Sequence, residues 1–173
     1  MTRILKAILC DPEGFRDFEH NGEAIAFGVI VIFMAGIISV IVTYFTPAFA
    51  EQPLHILVVI PITTSIGFFS WILWAGLSFL IGRFMLRGSA SFGDLVRNLG
   101  FAYIPSLLSF LLVFQFGVLM MMIILVWMAA IGVVSTSSAQ KFGMIKALIT
   151  TIIIWSFFFI ALTNILTSLR LIP

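Results

Sequence analysis

The chain has 173 residues, of which 62% are apolar and 9% are charged, with a formal net charge of +2 and a mean hydropathy of +1.24. An ordinary soluble domain is about 45–50% apolar and about 25% charged. So short a chain cannot cover this much apolar surface with polar groups, which excludes a soluble enzyme, a nucleic-acid-binding protein and a disordered chain. The single cysteine, Cys10, also excludes a disulfide framework. We therefore expect an integral membrane protein.

The first segment of the chain, residues 1–23, is predicted to lie on the cytoplasmic surface of the membrane. Apolar residues at positions 4, 5, 8 and 9 share one helical face and Arg3 and Lys6 lie toward the other, which is typical of a short interfacial helix. Pro12 ends this helix, and the stretch from Asp11 to Glu23 holds five acidic residues. These acids are either a solvated charge run or a surface that docks against the arginines of Gly82–Asn98.

Five apolar stretches are long enough to cross a hydrocarbon core of roughly 30 Å, which takes about 20 helical residues. Pro61 marks the start of the second stretch or a kink in it. The charge-free stretch Leu99–Val134 would be about 54 Å long as one helix, so it is predicted to form two spans with a turn at Gln115. The predicted fold is an all-α bundle of five transmembrane helices in a single domain, with spans at about residues 24–45, 62–81, 97–114, 118–134 and 147–166.

Two polar stretches separate the later spans. Gly82–Asn98 is interpreted as a loop that enters a helix through a capping box made by Ser91 and Asp94, and Ser135–Lys146 is interpreted as a second loop. With the N-terminus inside, the inner segments hold eight Lys and Arg residues and the outer segments hold one. The positive-inside rule therefore predicts a cytoplasmic N-terminus and an external C-terminus.

The spans lack the side chains that most membrane chemistry needs. No Asp, Glu, Lys or Arg lies well inside any span, whereas proton pumps and coupled antiporters need such groups. His20 and His55 lie on opposite sides of the membrane, and no phosphate-binding glycine motif is present. We therefore predict no catalytic residue, no metal site and no cofactor. Hydroxyl groups at membrane depth, among them those of Thr63, Ser70 and Thr150, either line a polar conduit or bond to helix backbones.

Small residues and one proline are predicted to shape the packing. Pairs spaced four apart, such as Ala24 and Gly28 or Ser78 and Gly82, allow helices to approach closely within one bundle or in a homo-oligomer. Pro105 is predicted to kink the third span, because it cannot donate to the carbonyl four residues before it. The kink either shapes a cleft toward the cytoplasmic leaflet or serves packing alone.

The stretch Gly93–Pro105 resembles the Yip domain (Ypt-interacting protein) family, whose members share a pattern of the type Gly-Tyr-Ala-x-x-Pro entering the third span. Phe101 stands where Tyr is common, and the motif positions here are Gly100, Ala102, Tyr103 and Pro105. The resemblance implies five spans with the N-terminus inside. Eukaryotic relatives bind Rab-type GTPases and carry a long N-terminal region with an Asp-Leu-Tyr-Gly-Pro motif. This chain lacks that motif, so the resemblance implies a prokaryotic-type member of the inner membrane and does not carry GTPase binding over.

The predicted function is that of a non-enzymatic adaptor or accessory subunit, which binds other membrane proteins or a second copy of itself. The alternative is a small transporter or lipid-binding membrane protein with a cleft near Pro105. A continuous polar path through the bundle would distinguish a transporter from an adaptor. The candidate surface for a partner or for anionic membrane lipid comprises Arg83, Arg87, Arg97 and Asp94.

Overall fold

The structure, a computed structural model, describes residues 23–45 and 56–168. Over these residues it is helical with no strand, and five of its helices are long and apolar enough to cross a membrane, which confirms the predicted fold class. The α-helices are α1 (Glu23–Phe45), α2 (Ile56–Leu80), α3 (Phe92–Gly100), α4 (Gly117–Gln140) and α5 (Met144–Ser168). The predicted interfacial helix, the loop after α1 and the last residues of the chain lie outside the described ranges.

Two segments of other helix types extend these elements. A π-helical segment, Ile81–Met85, continues α2, and a 3-10 segment, Phe101–Val113, continues α3. The third span therefore begins as an α-helix and ends as a 3-10 helix. The turn that follows it includes Gln115, as predicted, and α4 begins two residues later.

The long helices are apolar on nearly all sides, which is the pattern of a membrane-spanning helix rather than of a surface helix. Their outer faces expose large side chains, such as Val118 at 72% and Phe159 at 69%. In water this exposure would be costly, whereas lipid tails solvate the same side chains.

The 3-10 segment lies at the centre of the bundle, packed between α1 and α4. Helix α2 packs on α1 and α3, whereas α5 lies at the side, on α4, with a smaller contact to α2. The core contains three large side chains in particular, those of Trp71, Leu99 and Phe101.

The third span begins at a well-formed cap. Ser91 is the N-cap residue, its hydroxyl accepts a bond from the backbone N–H of Asp94, and the Asp94 carboxylate accepts from the backbone N–H of Ser91 at 2.9 Å. The predicted capping box is thus confirmed. The α-helix changes to the 3-10 helix at Phe101, four residues before Pro105. In a continued α-helix, the ring of Pro105 would clash with the backbone carbonyl of Phe101.

The end of α4 differs from the sequence prediction. The stretch Ser135–Lys146 was predicted as a loop, but α4 continues to Gln140 and only Lys141–Gly143 connect it to α5. Ser135, Thr136 and Gln140 are buried, because they face neighbouring helices and not solvent. Polar side chains at a helix end resemble a loop in sequence when their partners are far away along the chain.

Candidate functional site

The first two motif residues lie where α1 crosses the third span. A Cβ on Gly28 would lie 3.2 Å from the Cα of Gly100 and 3.0 Å from the ring of Trp71. Trp71 covers this crossing and donates its indole N–H to the carbonyl of Val96 at 3.1 Å. Ala102 is fully buried beside it. These residues hold the two helices close, which is packing within one bundle.

The other two motif residues lie one turn further along. The hydroxyl of Tyr103 is 2.9 Å from the hydroxyl of Ser70 in α2, and Ser70 also bonds to the carbonyl of Gly67 at 2.9 Å. Pro105 is fully buried. Of the two, only Tyr103 reaches a cavity.

A buried glutamine joins the two connections at one end of the bundle. Gln140 is 1% exposed, its amide nitrogen donates to the carbonyl of Ser78 at 3.0 Å, and its amide oxygen accepts from the backbone N–H of Ala90 at 3.3 Å. Its backbone carbonyl accepts from the N–H of Ser89 at 3.1 Å. The end of α4 is therefore joined to the α2–α3 connection by the bonds from Ser89 and Ala90, and to α2 by the bond to Ser78.

Two glycines make room for this amide. A Cβ added to either Gly82 or Gly88 would overlap the side chain of Gln140. Sequence reasoning missed Gln140, because its partners lie about fifty residues earlier and nothing near it in sequence indicates burial. The available signal was the pair of glycines, Gly82 and Gly88, in the polar stretch Gly82–Asn98.

We call the hydrogen bonds of Gln140 to Ser78, Ser89 and Ala90 the Gln140 junction. This junction brings together four cationic residues, which we call the cationic end of the bundle: Arg83, Arg87, Lys141 and Lys146. The first two residues come from the α2–α3 side and the last two from the α4–α5 side, and all four are exposed. Lys146 donates to the carbonyl of Leu86 at 3.3 Å, which links the connections a second time. Arg83 lies over the ring of Phe79, 5.9 Å from its centroid.

The backbone of the cationic end is strained at two cations. Arg87 has φ 58° and Lys141 has φ 56°, both in the left-handed region, and they are the only non-glycine residues with positive φ among those described. Glycine is the usual residue for such a position, above all after the end of a helix, where Lys141 stands.

Two of the predicted surface residues pair with each other instead of extending the cationic end. Arg97, in the last turn of α3, forms an ion pair at 2.6 Å with Asp94 in its first turn. Their charges compensate locally. The sequence analysis included this pair in the surface but did not include Lys141 and Lys146, which the fold brings beside Arg87.

A groove lies between α2, the 3-10 segment, α4 and α5, with a cavity volume of about 330 Å³. Five aromatic side chains line it, together with three others, and we call it the aromatic groove. Its lining residues are Ser70, Trp74, Tyr103, Leu125, Met128, Trp155, Phe158 and Phe159.

Some hydroxyl groups at membrane depth bond to helix backbones, whereas the buried hydroxyls of Thr64, Thr136 and Thr151 have no hydrogen-bond partner among the described residues. Thr63 donates to the carbonyl of Val59 and Thr150 to that of Lys146, each at 2.9 Å. These bonds agree with the interpretation as backbone bonding for the residues concerned. Within residues 23–45 and 56–168, no group of three or more His, Cys, Asp or Glu side chains is placed to hold a metal ion.

Five apolar helices, with the third span at their centre, define a polytopic α-helical membrane protein. A model of the Yip1 domain family matches residues 6–165, so the chain belongs to this family, which confirms the resemblance inferred from its motif residues. No curated protein and no solved structure shows significant similarity to the chain.

Proposed function

We propose that this protein is a non-enzymatic adaptor, which binds other membrane proteins through its cationic end. The observation that carries the proposal is that Arg87 and Lys141, two cationic residues, have left-handed backbone, where glycine is usual. Left-handed backbone at a non-glycine residue costs about 1–3 kcal/mol, and such strain is concentrated at functional sites. A cation in place of glycine in both connections suggests that the charges serve binding.

Charge defines the kind of partner. Four exposed cations stand together at the cationic end, and the acids among the described residues are Glu23 and the paired Asp94. An acidic segment next to the membrane on a partner protein complements this surface. Each exposed ion pair contributes only up to about 1 kcal/mol, so several must act together on a surface that the Gln140 junction holds in place.

The use of the hydroxyl groups favours an adaptor over a transporter of polar solutes. Thr63, Thr150 and Thr163 donate to carbonyls of their own helices, so the protons of these three hydroxyls are not free to bind a solute. The positive-inside rule favours a cytoplasmic position for the cationic end. The resemblance to the prokaryotic-type members of the family supports our assignment of the protein to a prokaryotic inner membrane.

The experiment is site-specific photo-crosslinking in the native membrane. A photoreactive residue at Gly143, which is exposed next to Lys141, should capture a membrane protein, whereas one at Gln115, in the turn at the other end, should not. Lys141→Gly should lower this capture at least threefold without lowering the unfolding temperature, because glycine suits the left-handed backbone at that position.

The matched control is Lys141→Arg, which keeps both the charge and the backbone strain and should keep the capture. Capture that is equal from Gln115, or unchanged in Lys141→Gly, would contradict the proposal. Crosslinks to anionic lipid alone would assign the cationic end to headgroup binding instead of to a protein partner.

A further inference from the structure

We propose that the aromatic groove binds a membrane-dissolved molecule of the quinone class, that is, a flat ring that bears oxygen atoms and an apolar tail. This proposal is independent of the adaptor function, because the groove and the cationic end share no residue.

The groove lies near the middle of the membrane. Ser70 and Trp74 fall in the central part of the Val58–Met85 span, and Tyr103 falls at the centre of the Phe92–Val113 span. Phospholipid headgroups and their ester carbonyls lie at the edges of the hydrocarbon core, roughly 15 Å from its midplane. A ligand of this groove must therefore be dissolved in the core itself.

The walls suit a flat, unsaturated ring. Trp74 meets Tyr103 and Trp155 edge to face, with ring centroids 6.1 Å and 5.9 Å away. Phe158 and Phe159 complete the aromatic lining. Aromatic faces and edges carry partial charges of opposite sign, so they favour a planar π-system over a saturated chain.

The polar pair supplies one hydrogen-bonding position in this apolar groove. Ser70 has a single hydroxyl proton, and its oxygen lies 2.9 Å from both the Gly67 carbonyl and the Tyr103 hydroxyl. If Ser70 donates to Gly67, Tyr103 donates to Ser70 and keeps a free lone pair; if Ser70 donates to Tyr103, the Tyr103 proton is free. The pair can thus accept from a ring hydroxyl or donate to a ring carbonyl, and an acyl chain uses neither capacity.

The groove opens sideways to the membrane. Leu125 is 37% exposed and Phe159 is 69% exposed, and both stand among its lining residues. Helix α5 supplies three of the lining residues and packs mainly on α4, with a smaller contact to α2. A ligand therefore enters from the lipid phase and not from either aqueous side.

The test uses the full chain in lipid nanodiscs and an azido-benzoquinone with a ten-carbon tail as photolabel. We expect saturable labelling of peptides from α5 around Trp155–Phe159, displaced by unlabelled benzoquinone of the same tail length. Tyr103→Phe keeps the ring and removes the hydroxyl, so it should raise the concentration needed for displacement about tenfold. Met128→Trp should abolish the labelling, because it fills the groove.

Two controls keep the proposal falsifiable. Met122→Trp places the same bulk on a part of α4 outside the groove and should leave labelling unchanged, and the unfolding temperature of each variant shows whether it is folded. Labelling that is not saturable, or that is spread evenly over lipid-facing helices, overturns the proposal. Displacement by decylcyclohexane as effective as by the quinone also overturns it, and it would assign the groove to acyl chains.

Discussion

The buried side-chain amide of Gln140 shows how one residue can hold together the connections at the cationic end of the bundle. Its side chain donates to the carbonyl of Ser78 in α2 and accepts from the N–H of Ala90 before α3, a residue that is buried. A buried polar group that loses its partner costs about 1–3 kcal/mol. The junction therefore orders the connection that carries Arg87, and it does so without a charge of its own.

Gln140→Leu is expected to lower the free energy of unfolding by about 2 kcal/mol, because it removes the bond to the Ser78 carbonyl and leaves the buried Ala90 N–H without its acceptor. Denaturant titration in detergent micelles measures this change. The matched control is Gln115→Leu, since Gln115 is exposed in the turn before α4 and its loss should stay within about 0.5 kcal/mol. Equal losses in the two variants would show that the Gln140 bonds do not stabilise the fold.

Gly28→Ala is expected to destabilise the bundle by about 1–3 kcal/mol, because the added Cβ meets the backbone of Gly100 and the ring of Trp71. A backbone neighbour cannot move aside as a flexible side chain can. Gly143→Ala serves as the control, since nothing lies within 4 Å of a Cβ there. The melting temperatures of the two variants in detergent provide the comparison, and an unchanged value for Gly28→Ala would argue against a tight crossing of α1 and the third span.

At the scale of whole elements, the third span is the unusual helix of the bundle. Its 3-10 segment is 13 residues long, whereas runs longer than three or four residues are uncommon in proteins. The change of helix type falls at Phe101, four residues before Pro105. Because a proline ring clashes with the carbonyl four residues before it in an α-helix, Pro105 accounts for the place of the change.

Pro105→Ala is expected to let the segment return toward α-helix. The rise per residue would fall from about 2.0 Å to about 1.5 Å, which shortens the segment by about 6 Å when it converts completely. Spin labels at Phe92 and Val113, both exposed, would report this change as a shorter distance in double electron–electron resonance. Pro61→Ala with the same label pair should leave the distance unchanged. An unaltered distance in Pro105→Ala would mean that packing, and not the proline, determines the helix type.

The elements differ in how far their sequence predicts them. Length and hydropathy are local properties, so five spans, the turn at Gln115 and the Ser91 capping box could all be predicted. The helical end of α4 could not, because the burial of Gln140 depends on Gly82 and Gly88 about fifty residues earlier. The 3-10 conformation was equally hidden, since a proline in an apolar stretch predicts an interruption but not which helix type replaces the α-helix.

The candidate site was predicted only in part, because it also depends on contacts between residues that are distant in sequence. Arg83 and Arg87 were identified from their own polar stretch, but their companions Lys141 and Lys146 are joined to them through hydrogen bonds between distant segments. The aromatic groove was not predicted either. Trp74, Tyr103 and Trp155 come from three different helices, and only the packing of the bundle brings them together.

At the scale of the whole molecule, the charged side chains of the described residues are concentrated at one end of the bundle. All charged residues of the described ranges lie at the start of α1, in or near the α2–α3 connection, or in and next to the α4–α5 connection. The turn between the 3-10 segment and α4, at the opposite end, has none. Lys and Arg in short loops are retained on the cytoplasmic side of the membrane, so this asymmetry predicts the orientation of the bundle.

Accessibility of single cysteines tests this orientation. Cys10→Ser removes the one native thiol, and Gln115→Cys or Gly143→Cys then places a thiol at an exposed position at one end or the other. In spheroplasts, a membrane-impermeant maleimide should label the Gln115→Cys variant at once and the Gly143→Cys variant only after the membrane is permeabilised. The reverse pattern would place Arg87 and Lys141 outside the cell, where they could not meet a cytoplasmic partner. Labelling of both variants in intact spheroplasts would be incompatible with α4 as a membrane-spanning helix, because α4 alone separates the two positions.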